Sequence, residues 1–543
     1  MATTLFFSFL GSLVICMALI PPLMASAGRL QILDVPRGRR MHPASVAKVG
    51  GIALAIGTFI GVLMWEPKDE VVLASLLGGL VILIFGVWDD RVGLSYRAKF
   101  AGQALAVLLV MGLGGVQISS VPFLPDEWLG PWLSLPLTFL VLVAVTNAVN
   151  LADGLDGLAG GMSLISFAGM AYLAFQTDDA LLMLMIVSVL GGLLGFLRFN
   201  THPARIFMGD AGSQFLGFYL GVTGLVLIHP SHGPYSSLLV LFIWGLPLLD
   251  MLGVMIQRWH EGRSPFVGDR NHLHHKLLGM GCSHRKAVTL IYAGQSAMVA
   301  LGYGLRWQAD WLLASLYLVI AGIVLVLFTH RQRHPVVEPV NTERSSGWMT
   351  DWLLAHPRMA QTPIRLLAAA ITGFLLLSVF LPQTVLPDAA LVAAGLLFVI
   401  IVGSVSLPHL KPFWVRVGLY VGSTFVIYFG EVANTGLSPW WARPVDLFLI
   451  AVAALVMVVM KLDTSARFET TPLDSLMILL AAVLPFLPEL QIGEINVSII
   501  TAKLIVLFFA FELLLHTYAD RLTQAGLLAL WLLGGLAVRV WSW

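Results

Sequence analysis

Apolar runs of membrane-spanning length, separated by short polar connectors, cover nearly the whole chain. They lie near residues 5–24, 49–65, 71–88, 100–115, 133–149, 158–175, 180–197, 213–229, 236–256, 287–304 and 311–329. After a polar stretch they resume near 364–381, 386–405, 413–430, 444–461, 473–487, 495–516 and 524–541. Because a helix needs about 20 apolar residues to cross the hydrocarbon core, the pattern predicts an all-α polytopic integral membrane protein, with about 11 transmembrane helices in a first module and about 7 in a C-terminal module. The short runs at 100–115 and 473–487 fit buried or tilted segments as well as simple spans. Residues 1–330 thus form a first membrane domain, 331–361 a polar linker and 362–543 a second membrane module. The first run ends in Met24-Ala25-Ser26-Ala27, which resembles a secretory cleavage site, but no Lys or Arg precedes it and it is long enough to span.

Composition agrees with a lipid environment: 58% of the 543 residues are hydrophobic, 11% are charged, and the mean hydropathy is +0.88. A net charge of +1 offers no global basic field for nucleic acid. Cys16 lies in an apolar run and Cys282 in a polar loop, so the two suggest neither a disulfide framework nor a thiolate metal cluster. The charge is informative in its placement. The odd-numbered connectors of the first module hold Arg29, Arg37, Arg39, Arg40 and Lys48, then Arg91, Arg97 and Lys99, then Arg198 and Arg205, then Arg258, Arg263, Arg270, Lys276, Arg285 and Lys286. The even-numbered connectors hold only Lys68 and Arg306. The positive-inside rule therefore puts the odd connectors and the linker in the cytoplasm and the N-terminus outside.

The same odd connectors carry the polar motifs. The first ends in Lys48-Val49-Gly50-Gly51, whose paired glycines permit close approach of a ligand or a neighbouring backbone. The third opens with Asp89-Asp90-Arg91, two adjacent carboxylates at a membrane boundary that require a Lys or Arg partner, a divalent cation or a proton. The fifth, Asn147-Ala148-Val149-Asn150-Leu151-Ala152-Asp153-Gly154-Leu155-Asp156-Gly157, would put Asp153 and Asp156 on one face if helical, and contains no Lys or Arg. The seventh runs from Asn200 to Ser213 and sets Asp210 between Gly209 and Gly212, a turn suited to a metal carboxylate beside phosphate oxygens, although an Asp before a helix also serves as a plain N-cap. The ninth holds Arg270, His272, His274, His275 and Lys276; its cations disfavour zinc and favour a diphosphate. Carboxylates for a hard cation, cationic donors for phosphate and Asn/Asp groups for a base or sugar imply phosphoryl chemistry at one membrane face, with Mg²⁺ the better fit.

These motifs, Asp89-Asp90, Asn147-x-x-Asn150-x-x-Asp153-Gly154-x-Asp156-Gly157-Leu158, Phe207-Met208-Gly209-Asp210-x-Gly212-Ser213 and His272-x-His274-His275, occur in that order over residues 1–330. In this they resemble the polyprenyl-phosphate N-acetylhexosamine-1-phosphate transferases, and loop nine is most similar to undecaprenyl-phosphate GlcNAc-1-phosphate transferases that start O-antigen, common-antigen or teichoic-acid assembly. The resemblance implies attack of a lipid phosphate oxygen on the β-phosphorus of a UDP-N-acetylhexosamine, giving a polyprenyl-diphospho-sugar and UMP. It implies Mg²⁺, or Mn²⁺ in its place, held by Asp210 and Asp89, and catalytic roles for Asp89, Asp90, Asp153 and Asp156. Substrate contacts fall on Asn150, Asn200, Phe207, Arg270, His272, His274 and His275. It further implies a multi-pass protein of a bacterial inner membrane with its active site on the cytoplasmic face, in contact with undecaprenyl phosphate, a UDP-N-acetylhexosamine and membrane lipids, with homo-oligomerisation left open. The alternatives are the same chemistry on a UDP-N-acetylated 6-deoxyhexose and, from another class, a transporter. The buried acid Asp250 is a further candidate, either supporting the site or paired with a loop residue such as Arg258. Beyond Gly347 none of these motifs recurs, and Glu431, Asp446 and Glu512 read as scattered acids near helix ends.

Overall fold

The computed structural model describes residues 2–34, 45–65, 68–125, 128–263, 271–331, 357–380, 387–406, 411–433, 444–462, 491–492, 495–518 and 522–539. Arg270, the basic segment 35–44 and the apolar run 473–487 lie outside the described residues. The chain divides into two compact units, Thr3–Val340 and Asn341–Trp543. Both are helical bundles, as the apolar runs predict, and among the described residues the strands are two-residue pairs.

In the first unit the long helices are α1 (Ala2–Leu30), α2 (Gly50–Leu63), α3 (Glu70–Val92), α4 (Tyr96–Gly114), α5 (Pro131–Ala152), α6 (Leu158–Gln176), α7 (Ala180–Asn200), α8 (Gly209–Leu227), α9 (Leu239–His260), α11 (His284–Gly304) and α12 (Asp310–Arg331). A short α10 (Leu273–Gly279) and a hairpin of β1 (Leu33–Asp34) and β2 (Val46–Ala47) complete it. Seven described helices of the chain, α1, α3, α4, α5, α6, α7 and α9, are long and apolar enough to cross a membrane. Polar caps start several of them: the side chains of Asp69, Ser95, Asp179 and Ser283 accept hydrogen bonds from the first-turn amides of α3, α4, α7 and α11.

The bundle is organised around α8, whose residues from Ala211 to Leu227 are all buried. This helix tolerates Asp210, Ser213 and Gln214 because protein rather than lipid surrounds it. Small residues let the neighbours come close. Gly51 N donates to Met208 O at 3.0 Å, and Gly50 N to Phe207 O at 3.0 Å, so the start of α2 lies on the turn that opens α8. Gly217 packs against the Thr146 backbone of α5. Helix α9 is broken at Gly245, whose φ of 44° and ψ of −125° precede Pro247. The buried Gln295 of α11 satisfies the break, accepting from Leu246 N at 2.9 Å and donating to Ile243 O at 2.9 Å.

The second unit contains α13 (Pro357–Ser378), α14 (Pro387–Ser406), α15 (Lys411–Ala433), α16 (Pro444–Leu462), α17 (Val497–Thr517) and α18 (Leu522–Arg539), with β3 (Gln491–Ile492) paired to β4 (Ile495–Asn496). Its acids are not scattered. Lys503 forms ion pairs with both Glu431 and Asp446, and Arg416 Nε lies 3.1 Å from Glu512 Oε1, which also accepts from the Tyr420 hydroxyl.

Candidate active site

The odd connectors of the first unit converge. Asp89, in the last turn of α3, accepts from Leu94 N at 2.6 Å through Oδ1, and its Oδ2 lies 2.5 Å from Lys99 Nζ. The same ammonium lies 3.1 Å from Asp210 Oδ2. The other oxygen of Asp210 accepts from Asn150 Nδ2 at 2.7 Å, and that amide also reaches Ser213 Oγ at 2.7 Å. Three segments distant in sequence, the third, fifth and seventh connectors, thus meet around two carboxylates and one cation.

Asp90 does a different job from its neighbour. Its carboxylate accepts the Asp210 and Ala211 amides, each at 3.1 Å, and Lys48 lies 3.6 Å from Oδ1. It caps the positive end of α8 and fixes the turn that carries Asp210. That turn needs Gly209, with φ of 69°; a Cβ there would lie 2.8 Å from the Asp90 carboxyl carbon. Behind this group, Gln103 of α4 links Asn147 and Gln214 through amide hydrogen bonds of 2.8 to 3.3 Å.

Loop five is not a continuous helix. Helix α5 ends at Ala152, Asp153 is its C-cap and Gly157, with φ of 77°, precedes α6. The expected shared helical face of Asp153 and Asp156 is therefore corrected: the helix stops between them. Asp156 Oδ2 accepts from Ala204 N at 3.1 Å and meets His202 Nδ1 at 2.7 Å. His202 in turn stacks on His284 with ring centroids 4.1 Å apart and planes inclined by 22°. Ligand atoms of Asp156, His202 and His284 lie within 4.8 Å of one another. Yet near-parallel stacked imidazoles do not aim their in-plane lone pairs at one ion, so the group as it stands is a strut tying loops five and seven to α11. Asn200 works likewise, accepting from Gly157 N at 3.0 Å and donating to Ile206 O at 2.9 Å. Phe207 joins the site through its backbone, donating to Ala47 O at 2.8 Å.

Burial, then the nearby carboxylates of Asp210, Asp90 and Asp156, push the Asp153 carboxyl up to about 7. The unfolded chain ionises this group near 3.8, so folding takes up a proton between the two values and stability falls as pH rises through that window. In EDTA, the thermal midpoint of the protein should fall from pH 5 to pH 7.5, and fall less in Asp153→Asn. Equal slopes for the two proteins would remove Asp153 from this role.

The histidine segment arrives from loop nine. His272 Nδ1 lies 3.0 Å from Asp250 Oδ2, and Leu273 N donates to Asp250 Oδ1 at 2.8 Å. Asp250 therefore pairs here rather than with Arg258. His274 packs on Gly154, where a Cβ would lie 2.9 Å from the ring's Cδ2, and its buried Nε2 has no hydrogen-bond partner among the described residues. Burial, reinforced by His275, pushes His274 down to about 4, so it is a neutral hydrogen-bonding group near pH 7 rather than a cation. The rings of His274 and His275 lie 4.2 Å apart.

The sequence reading missed His202, His284, Lys48, Gln103, Gln295 and Tyr292, whose hydroxyl donates to Gly157 O at 2.6 Å. Gln103 and Gln295 left a usable signal, since uncharged amides inside apolar helices need specific partners. Lys99 was visible only as a generic counter-ion.

The two carboxylates bridged by Lys99 also bear on a metal. A cation already sits between Asp89 Oδ2 and Asp210 Oδ2, and all-oxygen donors are the set a hard divalent ion prefers. The residues fit Mg²⁺.

Residues 72–228 match the family model described as glycosyl transferase family 4. The chain is 32% identical over 323 residues to a Bacillus subtilis (strain 168) protein named "Probable undecaprenyl-phosphate N-acetylglucosaminyl 1-phosphate transferase", covering 59% of this chain and 89% of that one. It is 31% identical over 336 residues to the Yersinia pestis "Undecaprenyl-phosphate alpha-N-acetylglucosaminyl 1-phosphate transferase", covering 59% and 89%. It is also 36% identical over 303 residues to the Mycobacterium leprae (strain TN) "Decaprenyl-phosphate N-acetylglucosaminephosphotransferase", covering 49% and 75%.

Proposed function

Because the chain belongs to glycosyl transferase family 4, we propose that it transfers N-acetylhexosamine 1-phosphate, foremost GlcNAc 1-phosphate, from a UDP-sugar to undecaprenyl phosphate and releases UMP. The observation that carries this reading is the convergence of Asp89, Lys99, Asn150 and Asp210 on one point. The acceptor comes from the names of the relatives, and the chemistry from the carboxylate and cation set.

In this reaction a lipid phosphate oxygen forms a bond to the β-phosphorus of the donor while the bond from that phosphorus to the UMP oxygen breaks. Both reactants are anions, so the site's work is to bring them together and neutralise them. Asp89 and Asp210 would hold Mg²⁺, with Mn²⁺ able to substitute, and the bound ion would offset charge on the diphosphate. Asn150 orients Asp210 through its amide hydrogen bond, and Asp90 fixes the α8 turn beneath it. Lys99 sits where it can pass from the carboxylates to a phosphate oxygen. Asp153, ionising near 7, would hold or release a proton at its carboxyl beside the reacting phosphates. His272, His274 and His275 would contact phosphate or sugar. The basic connectors support a reading in which this end of the bundle faces the cytoplasm, with the N-terminus outside, in a bacterial inner membrane.

The test uses purified full-length protein, undecaprenyl phosphate and radiolabelled UDP-GlcNAc with Mg²⁺ or EDTA, following label into lipid and uracil nucleotide into UMP. Mg²⁺-dependent appearance of both products supports the reading. Products only with a UDP-N-acetylated 6-deoxyhexose would correct the donor, and silence across UDP-N-acetylhexosamines with folded protein would overturn it.

A further inference from the structure

We propose that Asp250 is a positioning residue of the transfer reaction, acting through His272 by holding the histidine segment and fixing which ring nitrogen bears the proton. The inference rests on the function proposed above. Asp250 lies in α9 just beyond the break at Gly245, and the break sets where its carboxylate points. The break is a built feature. Leu246 N has lost its helical partner and donates instead to Gln295 Oε1, while Gln295 Nε2 donates to Ile243 O and, at 2.8 Å, to Ser166 Oγ. A Cβ at Gly245 would lie 2.8 Å from Gln295 Nε2, so only glycine fits there.

Both carboxylate oxygens of Asp250 are occupied by donors of the histidine segment: Oδ1 by the Leu273 amide and Oδ2 by His272 Nδ1. These two contacts make Asp250 the group that holds the histidine segment against α9. Opposite an ionised carboxylate, Nδ1 must carry its hydrogen, which leaves Nε2 as the nitrogen for substrate. A structural role alone would need only the backbone contact at Leu273. The imidazole contact goes further, because it selects one tautomer of a ring that the resemblance assigns to substrate. The next histidine shows the direction: His274 leaves its Nε2 buried beside Gly154, with no hydrogen-bond partner among the described residues.

The substitution Asp250→Asn separates the roles. Asparagine has nearly the same volume but only one accepting oxygen, so either the Leu273 amide or His272 Nδ1–H would face an NH₂ group. The measurement takes the full-length protein through kcat and KM for wild type, Asp250→Asn, Asp250→Glu, His272→Ala and the double variant Asp250→Asn/His272→Ala. The expected result is a fall in kcat of about 10–100-fold in Asp250→Asn, the size found when the hydrogen-bond partner behind a metal-ligating histidine is removed. Partial recovery in Asp250→Glu and no further loss on adding Asp250→Asn to His272→Ala complete the expectation. Losses that multiply in the double variant, or wild-type turnover in Asp250→Asn, would overturn the proposal. Ring-¹⁵N histidine spectra, assigned by loss of the His272 signal in His272→Ala, give a readout independent of activity. They should show His272 protonated at Nδ1 in wild type and altered in Asp250→Asn; an unchanged signal also overturns it. Failure of the transfer assay in wild type with the Nδ1–H signature present would count against the proposed function and leave the Asp250–His272 pairing standing.

Discussion

Asp210→Asn should abolish sugar-phosphate transfer, by about 10³-fold or more, in a protein that still folds. Asp210 Oδ1 accepts from Asn150, and Oδ2 faces the Lys99 ammonium. An amide at this position turns an NH₂ group on one of these two donors and removes the charge that would hold a divalent ion. Folding should survive because the turn itself is held by backbone amides on Asp90 and by the Gly51 and Gly50 amides on Met208 and Phe207. UMP release, measured beside the thermal midpoint, checks both halves. Wild-type turnover in this variant would remove Asp210 from the metal site.

Gly51→Ala should be the most damaging of the small substitutions. A methyl group there would lie 2.7 Å from Met208 O and closer still to the backbone of Gly212. No side chain can swing aside, so α2 must move off α8, at an overpacking cost of about 1–3 kcal/mol or more. The same shift disturbs the turn that carries Asp210. The expected outcome is a lowered thermal midpoint together with at least about tenfold lost turnover, since small displacements of a reacting group cost about that much or more. Gly322→Ala in α12, where a Cβ meets nothing within 4 Å, should leave both unchanged or raise the midpoint slightly. Identical behaviour of the two variants would show that the α2–α8 contact does not control the site.

The hydrophobic pattern was enough to find the long helices, because several apolar runs are limited by a cap or a glycine that the sequence displays, as Gly93 and Ser95 do between α3 and α4. It was enough as well for the gathering of loops three, five and seven, since charges cluster on alternate connectors. Pairing was not legible. Nothing in the spacing distinguishes Asp89, which faces Lys99, from Asp90, which caps α8; that division depends on the angle at which α3 crosses α8. The break at Gly245 was hidden for a related reason. A glycine and a proline two residues apart in an apolar helix suggest a kink, but only the distant Gln295 makes it stable. The helical reading of Asp153 and Asp156 failed because spacing of three residues implies a common face only where the backbone hydrogen bonds continue, and here they stop at Ala152.

The ion pairs of the second unit constrain motion. Helices α15 and α17 are joined at one end by Arg416 and Glu512 and at the other by Glu431 and Lys503. A slip of one helix along the other by a single turn, about 5.4 Å, would break both links at once and leave charges stranded in a medium that cannot solvate them. Sliding is therefore an all-or-none event for this pair, and whatever moves in the second unit must carry α15 and α17 together as one piece.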